Sequence, residues 1–187
     1  MEDHFDNPDA FADTLVEELK GLPSVWNPIS TTTESGFQTQ GNLFERPLRS
    51  IAPLTEMLKK EIISYCSKFE KSNCAFIASW PKEWHLHGWA VRLTTSGHQS
   101  AHIHASGWLS GVVYLQLVPS ENKDEGAIVF GSDGYDYPLL HENVAETLHR
   151  PSRGDIVFFP SSLFHRTIPI RQEGERIIVA FDVVPRA

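Results

Sequence analysis

Apolar residues recur at helical spacing in two stretches of the first third of the chain. Asn7 and Pro8 are residue types favoured at a helix start, and Gly21 and Pro23 end the pattern that follows them. Between these limits one face carries Phe11, Leu15, Val16 and Leu19. The second stretch, roughly four to five turns long, has apolar residues at positions 51, 54, 58, 62, 66 and 69. We predict two amphipathic helices that pack on the outside of the fold.

From about Gly88 onward the apolar period changes from 3.6 to 2, which is typical of strands. The predicted strands cover residues 89–94, 109–117, 127–130, 155–159 and 176–184, with a weaker one at 167–170. Residues 24–47 have little periodicity, and we predict a loop there with an edge strand around 36–39. Short strands with no helix between most of them favour antiparallel sheets, because parallel strands need crossover helices. The pattern predicts a barrel or a jelly roll.

Length and charge limit the organisation and the partners. A chain of 187 residues fits one domain. We expect a single domain over 1–187, with 1–75 as a helical support region and 76–187 as the β core. The net charge of -8 argues against a nucleic-acid partner, since such binding relies on clustered Lys and Arg. The sequence does not decide between a monomer and a homodimer.

Two cysteines, Cys66 and Cys74, are too few for a disulfide scaffold or a zinc ribbon and suit a reducing compartment. The acidic start, Met1 to His4, differs from a secretory signal, and no apolar run approaches the length of a membrane span. We therefore expect a cytoplasmic protein with no membrane partner.

A His-x-His pair, His102 and His104, lies between two predicted strands. In extended chain, residues two apart face the same way, so both imidazoles can reach one cation. Such a pair alone is a weak motif. A second pair, His85 and His87, has nothing downstream to complete it, and we interpret it as polar loop or strand entry.

His165 strengthens the metal hypothesis. It follows a Gly turn at Gly154, a buried strand, and Pro160, which cannot donate to the sheet and ends that strand. A late histidine that converges with an early pair is the arrangement that a two-strand metal site requires. Residues 131–150, between these two parts, form a candidate lid.

Arg176 opens an apolar strand eleven residues after His165. A cation at the start of a buried strand is costly unless an anion meets it, so we expect a carboxylate partner. Arg can form the bidentate pair that a dicarboxylate needs. The alternative is an exposed Arg at the strand edge.

With these residues the sequence resembles a family of 2-oxoglutarate and iron(II)-dependent oxygenases of the double-stranded β-helix fold, found alone or attached to helical repeats. The matching stretches are 88–93 (GWAVRL), 102–104 (HIH) leading into 107–114 (GWLSGVVY), 154–161 (GDIVFFPS) through His165, and 176–185. A looser match at 36–43 extends the likeness over nearly the whole chain. The fold that this implies is mainly β with flanking helices: a cupin-like jelly roll with the N-terminal helices packed outside.

The resemblance implies iron(II) held by His102, His104 and His165, and Arg176 binding the distal carboxylate of the cosubstrate 2-oxoglutarate. The implied activity is a dioxygenase that hydroxylates an unidentified primary substrate while 2-oxoglutarate is decarboxylated to succinate. One departure matters, because most such enzymes have Asp or Glu where His104 stands, which gives two histidines and one carboxylate. A neutral imidazole there leaves the site one negative charge short, and whether His104 binds the metal is left open.

Three further residues are candidate cosubstrate contacts. Tyr114 and Ser110 share strand parity and can face the interior, and Thr167 lies two residues past His165. The alternative for Tyr114 and Ser110 is cross-strand packing.

Two rival functions remain at this point. The same motifs resemble those of cupin-type metalloenzymes (dioxygenases or isomerases), but the Glu that cupins usually add after the His pair is replaced by Trp108 and Leu109, and Arg176 then has no role. The other rival is a catalytically silent jelly-roll module that binds a small carboxylate or a partner protein.

Overall fold

The computed structural model describes residues 1–131, 133–135, 137–138 and 145–186. Of the candidate lid over 131–150, residues 132, 136 and 139–144 lie outside these residues. No helix in the described ranges combines the length and the apolarity needed to cross a bilayer.

Both amphipathic helices predicted from the sequence are confirmed. Helix α1 covers Pro8–Lys20, and the Asn7 side chain accepts a hydrogen bond from the backbone N–H of Ala10 at 3.0 Å, which caps the first turn. Helix α2 covers Ile51–Phe69. A one-turn helix α3 at Ala75–Ala78 and a 3-10 turn at Leu43–Glu45 were not predicted.

Within the described residues, nine strands form two antiparallel sheets. The strands are β1 (Ser24–Trp26), β2 (Thr33–Thr39), β3 (Trp84–Gln99), β4 (Leu109–Gln116), β5 (Ile128–Phe130), β6 (Thr147–His149), β7 (Ile156–Pro160), β8 (His165–Thr167) and β9 (Arg176–Pro185). The larger sheet has the order β1-β2-β3-β9-β4-β7, and the smaller has the order β6-β5-β8. Two facing antiparallel sheets with flanking helices confirm the predicted fold class.

The division of the chain at residue 75 needs correction. Strand β2 pairs with β3 along much of its length, from Thr33 opposite Gln99 to Gln38 opposite Val91, and β1 pairs with β2. Residues 1–75 are thus not only helical support, since they contribute two strands to the larger sheet. The sequence predicted an edge strand at 36–39, within β2, but it did not predict β1 or the start of β2, because this Ser- and Thr-rich stretch has little apolar alternation.

Side chains of β4 and β9 alternate between two cores. Outward residues of these strands pack against α1 and α2, for example Val113 and Phe181 against Leu15 and Leu58. The inward residues face the smaller sheet and form a second cluster that includes Val112, Tyr114, Ile128, Ile178 and Ala180. The helices therefore cover the outer face of the larger sheet, and the inner face is left for the site.

Candidate metal centre and cosubstrate pocket

Three histidines meet at the inner face. His102 and His104 follow β3, and His165 is the first residue of β8. One ring nitrogen from each lies within 4.8 Å of the others, and no other group in the described part of the chain offers three such ligand atoms so close together. The Nε2 atoms of His102 and His104 are 3.2 Å apart. His85 and His87, in β3, do not join this group.

Hydrogen bonds fix the orientation of all three rings. The Nδ1 atom of His102 lies 2.7 Å from the Ser100 carbonyl oxygen, and that of His165 lies 3.0 Å from the Leu163 carbonyl oxygen. The Nδ1 atom of His104 lies 2.6 Å from Oδ1 of Asp182. Since each acceptor requires a proton on Nδ1, the neutral form of each ring has its free lone pair on Nε2.

Burial keeps two of these imidazoles neutral. Removal from water lowers the pKa of His102 to about 4, although the Ser100 carbonyl partly opposes this. Burial and the neighbouring His102 lower the pKa of His165 to about 3. Neutral imidazoles are the form that binds a metal, so near neutral pH both rings are ready as ligands.

This donor set fits a divalent transition metal. Lone pairs of neighbouring Nε2 atoms that point at each other at 3.2 Å repel unless a cation or a proton lies between them. Imidazole nitrogens suit iron, and three ligands on one side leave room for others. The three histidines can therefore hold iron(II) and present it to the pocket.

Arg176 lines the same pocket, and no carboxylate among the described residues pairs with it. Its side chain is almost completely buried, and its Nε and Nη1 atoms have no hydrogen-bond partner among the described residues. Burial lowers the pKa of Arg176, but a guanidinium keeps its charge in a protein. The alternative of an exposed Arg at the strand edge is therefore wrong. An uncompensated buried cation is costly, and the pocket offers a place for an anion.

Tyr114 lies beside this guanidinium. The Arg176 Cζ atom is 5.1 Å from the centre of the Tyr114 ring, and the buried Tyr114 hydroxyl also lacks a hydrogen-bond partner within the described ranges. Burial raises the pKa of Tyr114, against the opposing charge of Arg176, so the hydroxyl keeps its proton and can donate it. Thr167 is buried and lines the pocket as well.

Ser110 is placed differently from the other candidate cosubstrate contacts. It faces inward, as its parity predicts, but it is absent from the pocket wall that Tyr114 and Arg176 share. Its Oγ atom lies 2.7 Å from Oδ1 of Asp182 and 3.0 Å from Nδ1 of His104. Ser110 therefore supports a histidine from behind, and its contacts do not favour a role in binding the cosubstrate.

Asp182 is the site residue that sequence reasoning missed. It is buried on β9 and shares the inward parity of Arg176, Ile178 and Ala180. An acidic residue near the end of an apolar strand, in phase with a predicted cosubstrate-binding Arg, is the signal that could have revealed it.

A family profile matches the part of the chain that carries these residues. Residues 87–182 match the protein-family profile described as "Putative 2OG-Fe(II) oxygenase". No curated protein sequence matches the chain significantly. These matched residues include all three histidines, Arg176 and Asp182.

Solved structures of low sequence identity share the fold. A prolyl-4-hydroxylase from Pseudomonas putida superposes with a TM-score of 0.66 at 12% identity, covering 97% of this chain and 87% of the other. HygX from Streptomyces hygroscopicus, with nickel and 2-oxoglutarate bound, gives 0.64 at 16% identity, with 95% and 79% covered. The viral collagen prolyl hydroxylase of Paramecium bursaria Chlorella virus-1, as its 2-oxoglutarate complex, gives 0.59 at 17% identity, with 96% and 91% covered.

The family match covers just over half of the chain, and it selects the oxygenase over the cupin-type metalloenzyme and the silent binding module. Iron(II) and 2-oxoglutarate are the cofactor and the cosubstrate of this family. The chain belongs to the 2-oxoglutarate and iron(II)-dependent oxygenase family and is a 2-oxoglutarate-dependent dioxygenase.

Proposed function

We propose that His102, His104 and His165 bind iron(II) through their Nε2 atoms, and that Arg176 and Tyr114 bind the distal carboxylate of 2-oxoglutarate. One observation carries this proposal. Three clustered imidazoles and a buried guanidinium, two of whose nitrogens have no partner among the described residues, line the same pocket. A molecule with a keto-acid chelate at one end and a carboxylate at the other would satisfy both.

Charge balance supports the assignment of Arg176. Two of its nitrogens and the Tyr114 hydroxyl are buried donors that find no acceptor in the described part of the chain, and each such group costs free energy in the empty protein. A carboxylate that accepts from both residues would recover this cost on binding. Thr167, whose buried side chain lines the same pocket, is the third residue that we assign to the cosubstrate.

Bound iron would supply the redox chemistry, in which dioxygen and 2-oxoglutarate are consumed and succinate and carbon dioxide are released. One oxygen atom of dioxygen enters succinate, and the other converts a C–H group of the primary substrate to C–OH. The chain contributes binding, orientation and exclusion of water. Aromatic rings close to the histidines serve the last task. The Phe159 ring centre is 4.5 Å from that of His165, and the Trp89 ring centre is 5.4 Å from that of His104.

The primary substrate is a small molecule or a peptide side chain in this proposal. HygX has also been solved with hygromycin B bound, and three of the other similar structures are prolyl hydroxylases. At 12–17% identity, the similarity between these proteins and this chain shows a shared fold and does not identify a shared substrate. We propose that the protein is a monomer or a homodimer.

We place the protein in the cytoplasm. Cys66 and Cys74 are both free thiols, and Cys74 is exposed. Free exposed thiols persist in a reducing compartment. Iron is also more easily kept in the iron(II) state in such a compartment.

The test is binding and turnover by the purified protein. Anaerobic titration calorimetry with iron(II) and then 2-oxoglutarate should show that the cosubstrate binds only after the metal, and aerobic incubation with ascorbate should release succinate. His165→Ala should abolish both signals, whereas the matched control His85→Ala, outside the histidine cluster, should retain them. If the wild-type protein loaded with iron neither binds 2-oxoglutarate nor forms succinate, the proposal is wrong.

A further inference from the structure

The geometry points to Asp182 as a positioning residue that supplies, through the His104 ring, the negative charge that other enzymes of this class place directly on the metal. This inference rests on the proposed function, because it takes His104 as an iron ligand. Most related enzymes have Asp or Glu where His104 stands, and Asp182 would supply the negative charge that is missing there. A carboxylate is present at this site, one imidazole farther from the cation.

The three histidines differ in what holds their Nδ1 atoms. His102 and His165 each donate to the backbone carbonyl oxygen two residues before them. Only His104 donates to a side-chain carboxylate, Oδ1 of Asp182, and this 2.6 Å contact is the shortest of the three. The histidine that stands where a carboxylate ligand is expected is thus the one with a carboxylate behind it.

A carboxylate behind a ligand imidazole changes the ligand itself. Accepting the Nδ1 proton makes the ring more electron-rich, so its Nε2 atom binds a cation more strongly. It also fixes the tautomer that leaves Nε2 free. A backbone carbonyl also fixes the tautomer, but it brings no charge. Asp182 therefore gives His104 part of the character of an anionic ligand.

The surroundings hold Asp182 in this role. Its side chain is only 9% exposed, so little water competes for the carboxylate. Ser110 lies directly across the sheet from Asp182, and its hydroxyl donates to the same Oδ1 atom at 2.7 Å. The hydroxyl oxygen of Ser161 lies 2.8 Å from that of Ser110. Buried polar networks of this kind fix one side-chain arrangement when their members are paired.

The first test removes the charge and keeps the shape. Cobalt(II), used alone as the probe, would be titrated anaerobically into the wild-type protein and into Asp182→Asn, and followed by calorimetry and by its visible absorption bands. We expect the variant to bind cobalt about 10–100-fold more weakly, with shifted bands. Asp13→Asn, an exposed Asp in a surface ion pair, is the matched control and should behave as wild type.

The second test moves the charge. His104→Asp combined with Asp182→Asn places the carboxylate directly on the metal and removes it from behind. If Asp182 acts by charge, this double variant should regain the cobalt affinity that Asp182→Asn alone loses. If Asp182 only holds the local structure, the double variant should bind no better than the single one, and that result would overturn the inference.

A third measurement needs no substitution. In the wild-type protein loaded with diamagnetic zinc(II), proton and nitrogen NMR resolves the Nδ1–H groups of the ligand histidines. The His104 proton should resonate clearly downfield of those of His102 and His165, since only it is shared with a carboxylate. Three similar shifts would contradict the inference even if no variant folds.

Failure of this inference is distinguishable from failure of the proposed function. A wild-type protein that binds no cobalt would remove the metal site itself. A wild-type protein that binds cobalt tightly, beside an Asp182→Asn variant with the same affinity and the same spectrum, would leave the metal site intact and remove only the role of Asp182.

Discussion

His102 and His165 are joined to each other through their backbones. The N–H of His102 donates to the carbonyl oxygen of His165 at 3.0 Å, and the N–H of His165 donates to the carbonyl oxygen of His102 at the same distance. This reciprocal pair is an antiparallel bridge between segments sixty-three residues apart in the chain. The N–H of His104 continues the contact by donating to Ser161 at 2.9 Å. The main chain itself thus sets the spacing of the proposed metal ligands.

We therefore expect the metal site to be formed before the metal binds. In hydrogen–deuterium exchange of the metal-free protein, the amides of His102 and His165 should already be protected, and iron or cobalt should slow them only modestly. Residues 121–123, in an exposed loop, give an internal reference for fast exchange. Full exchange of the two histidine amides within seconds, with protection appearing only on metal addition, would contradict a preformed site.

Arg176→Met should separate stability from cosubstrate binding. The substitution removes a buried cation whose Nε and Nη1 have no partner among the described residues, so the thermal midpoint without 2-oxoglutarate should stay the same or rise. The dissociation constant for 2-oxoglutarate should rise roughly 30–150-fold, which corresponds to about 2–3 kcal/mol for charged hydrogen bonds. Thermal melts with and without 2-oxoglutarate measure both effects.

The control for this prediction is Arg153→Met, which removes a surface cation paired with Asp13. It should leave 2-oxoglutarate binding unchanged. A large fall in the midpoint of Arg176→Met, with unchanged cosubstrate affinity, would mean that Arg176 serves the fold and not the ligand.

Tyr114→Phe tests the hydroxyl that accompanies this guanidinium. Because the buried hydroxyl has no partner within the described ranges, its loss should cost the empty protein little. We expect 2-oxoglutarate to bind about tenfold more weakly, which corresponds to about 1.4 kcal/mol. Calorimetry measures this change, and Tyr65→Phe in α2 should leave the affinity as in the wild type. Equal affinities for Tyr114→Phe and the wild type would assign Tyr114 to packing alone.

The sequence led to the residues whose spacing reflects strand geometry. The two-residue period placed His102 and His104 on one side, and the strand ending at Pro160 pointed to His165. The structure brings all three histidines together. It also buries Arg176 in the same pocket, where the free-energy cost of burying a cation had led us to expect an anionic partner. The helices were predictable for the same reason, since their caps and their apolar period are local properties of the chain.

The role of Ser110 and the presence of Asp182 were not predictable in this way. Ser110 lies opposite Asp182 only because of the register between β4 and β9, and register depends on packing across the whole sheet. Parity placed Ser110 on the inner face correctly, but it could not say which neighbour the hydroxyl would meet. Of strands β1 and β2, only the second half of β2 was predicted, as the edge strand at 36–39, because the rest of this stretch has little apolar period.

The metal-free protein should lose stability as the pH falls from about 6.5. Burial holds the pKa of His102 near 4 and that of His165 near 3, whereas in the unfolded chain both have the ordinary value of about 6.5. Between these values the unfolded state binds protons that the folded state does not. In this range each histidine lowers the free energy of unfolding by about 1.4 kcal/mol for every pH unit of acidification. Its full contribution to stability is present only above about pH 6.5.

Urea unfolding of the chelator-treated protein, at several pH values between 7 and 4.5, measures this slope. His165→Gln removes one of the two groups, so its free energy of unfolding should fall less steeply with decreasing pH, by about 1.4 kcal/mol per unit. Parallel curves for the wild type and the variant would show that His165 is protonated in the folded protein, contrary to its burial.

Gly107 is the point at which the network behind His104 can be disturbed without changing any of its members. A Cβ atom at this position would lie 2.5 Å from Ser161 Oγ and 3.2 Å from Asp182 Cγ, so Gly107→Ala must displace one or both. We expect it to destabilise the fold by about 1–3 kcal/mol and to weaken cobalt(II) binding. Gly21→Ala, whose Cβ would meet only helix carbonyl oxygens at 3.4 Å or more, is the matched control. His104 itself is unchanged in Gly107→Ala, and the N–H of Gly107 donates to its carbonyl oxygen at 3.1 Å. A loss of metal affinity with the backbone amides of His102 and His165 still protected from exchange would therefore point to the side chains behind the ring, and full affinity would show that their positions do not matter to the metal.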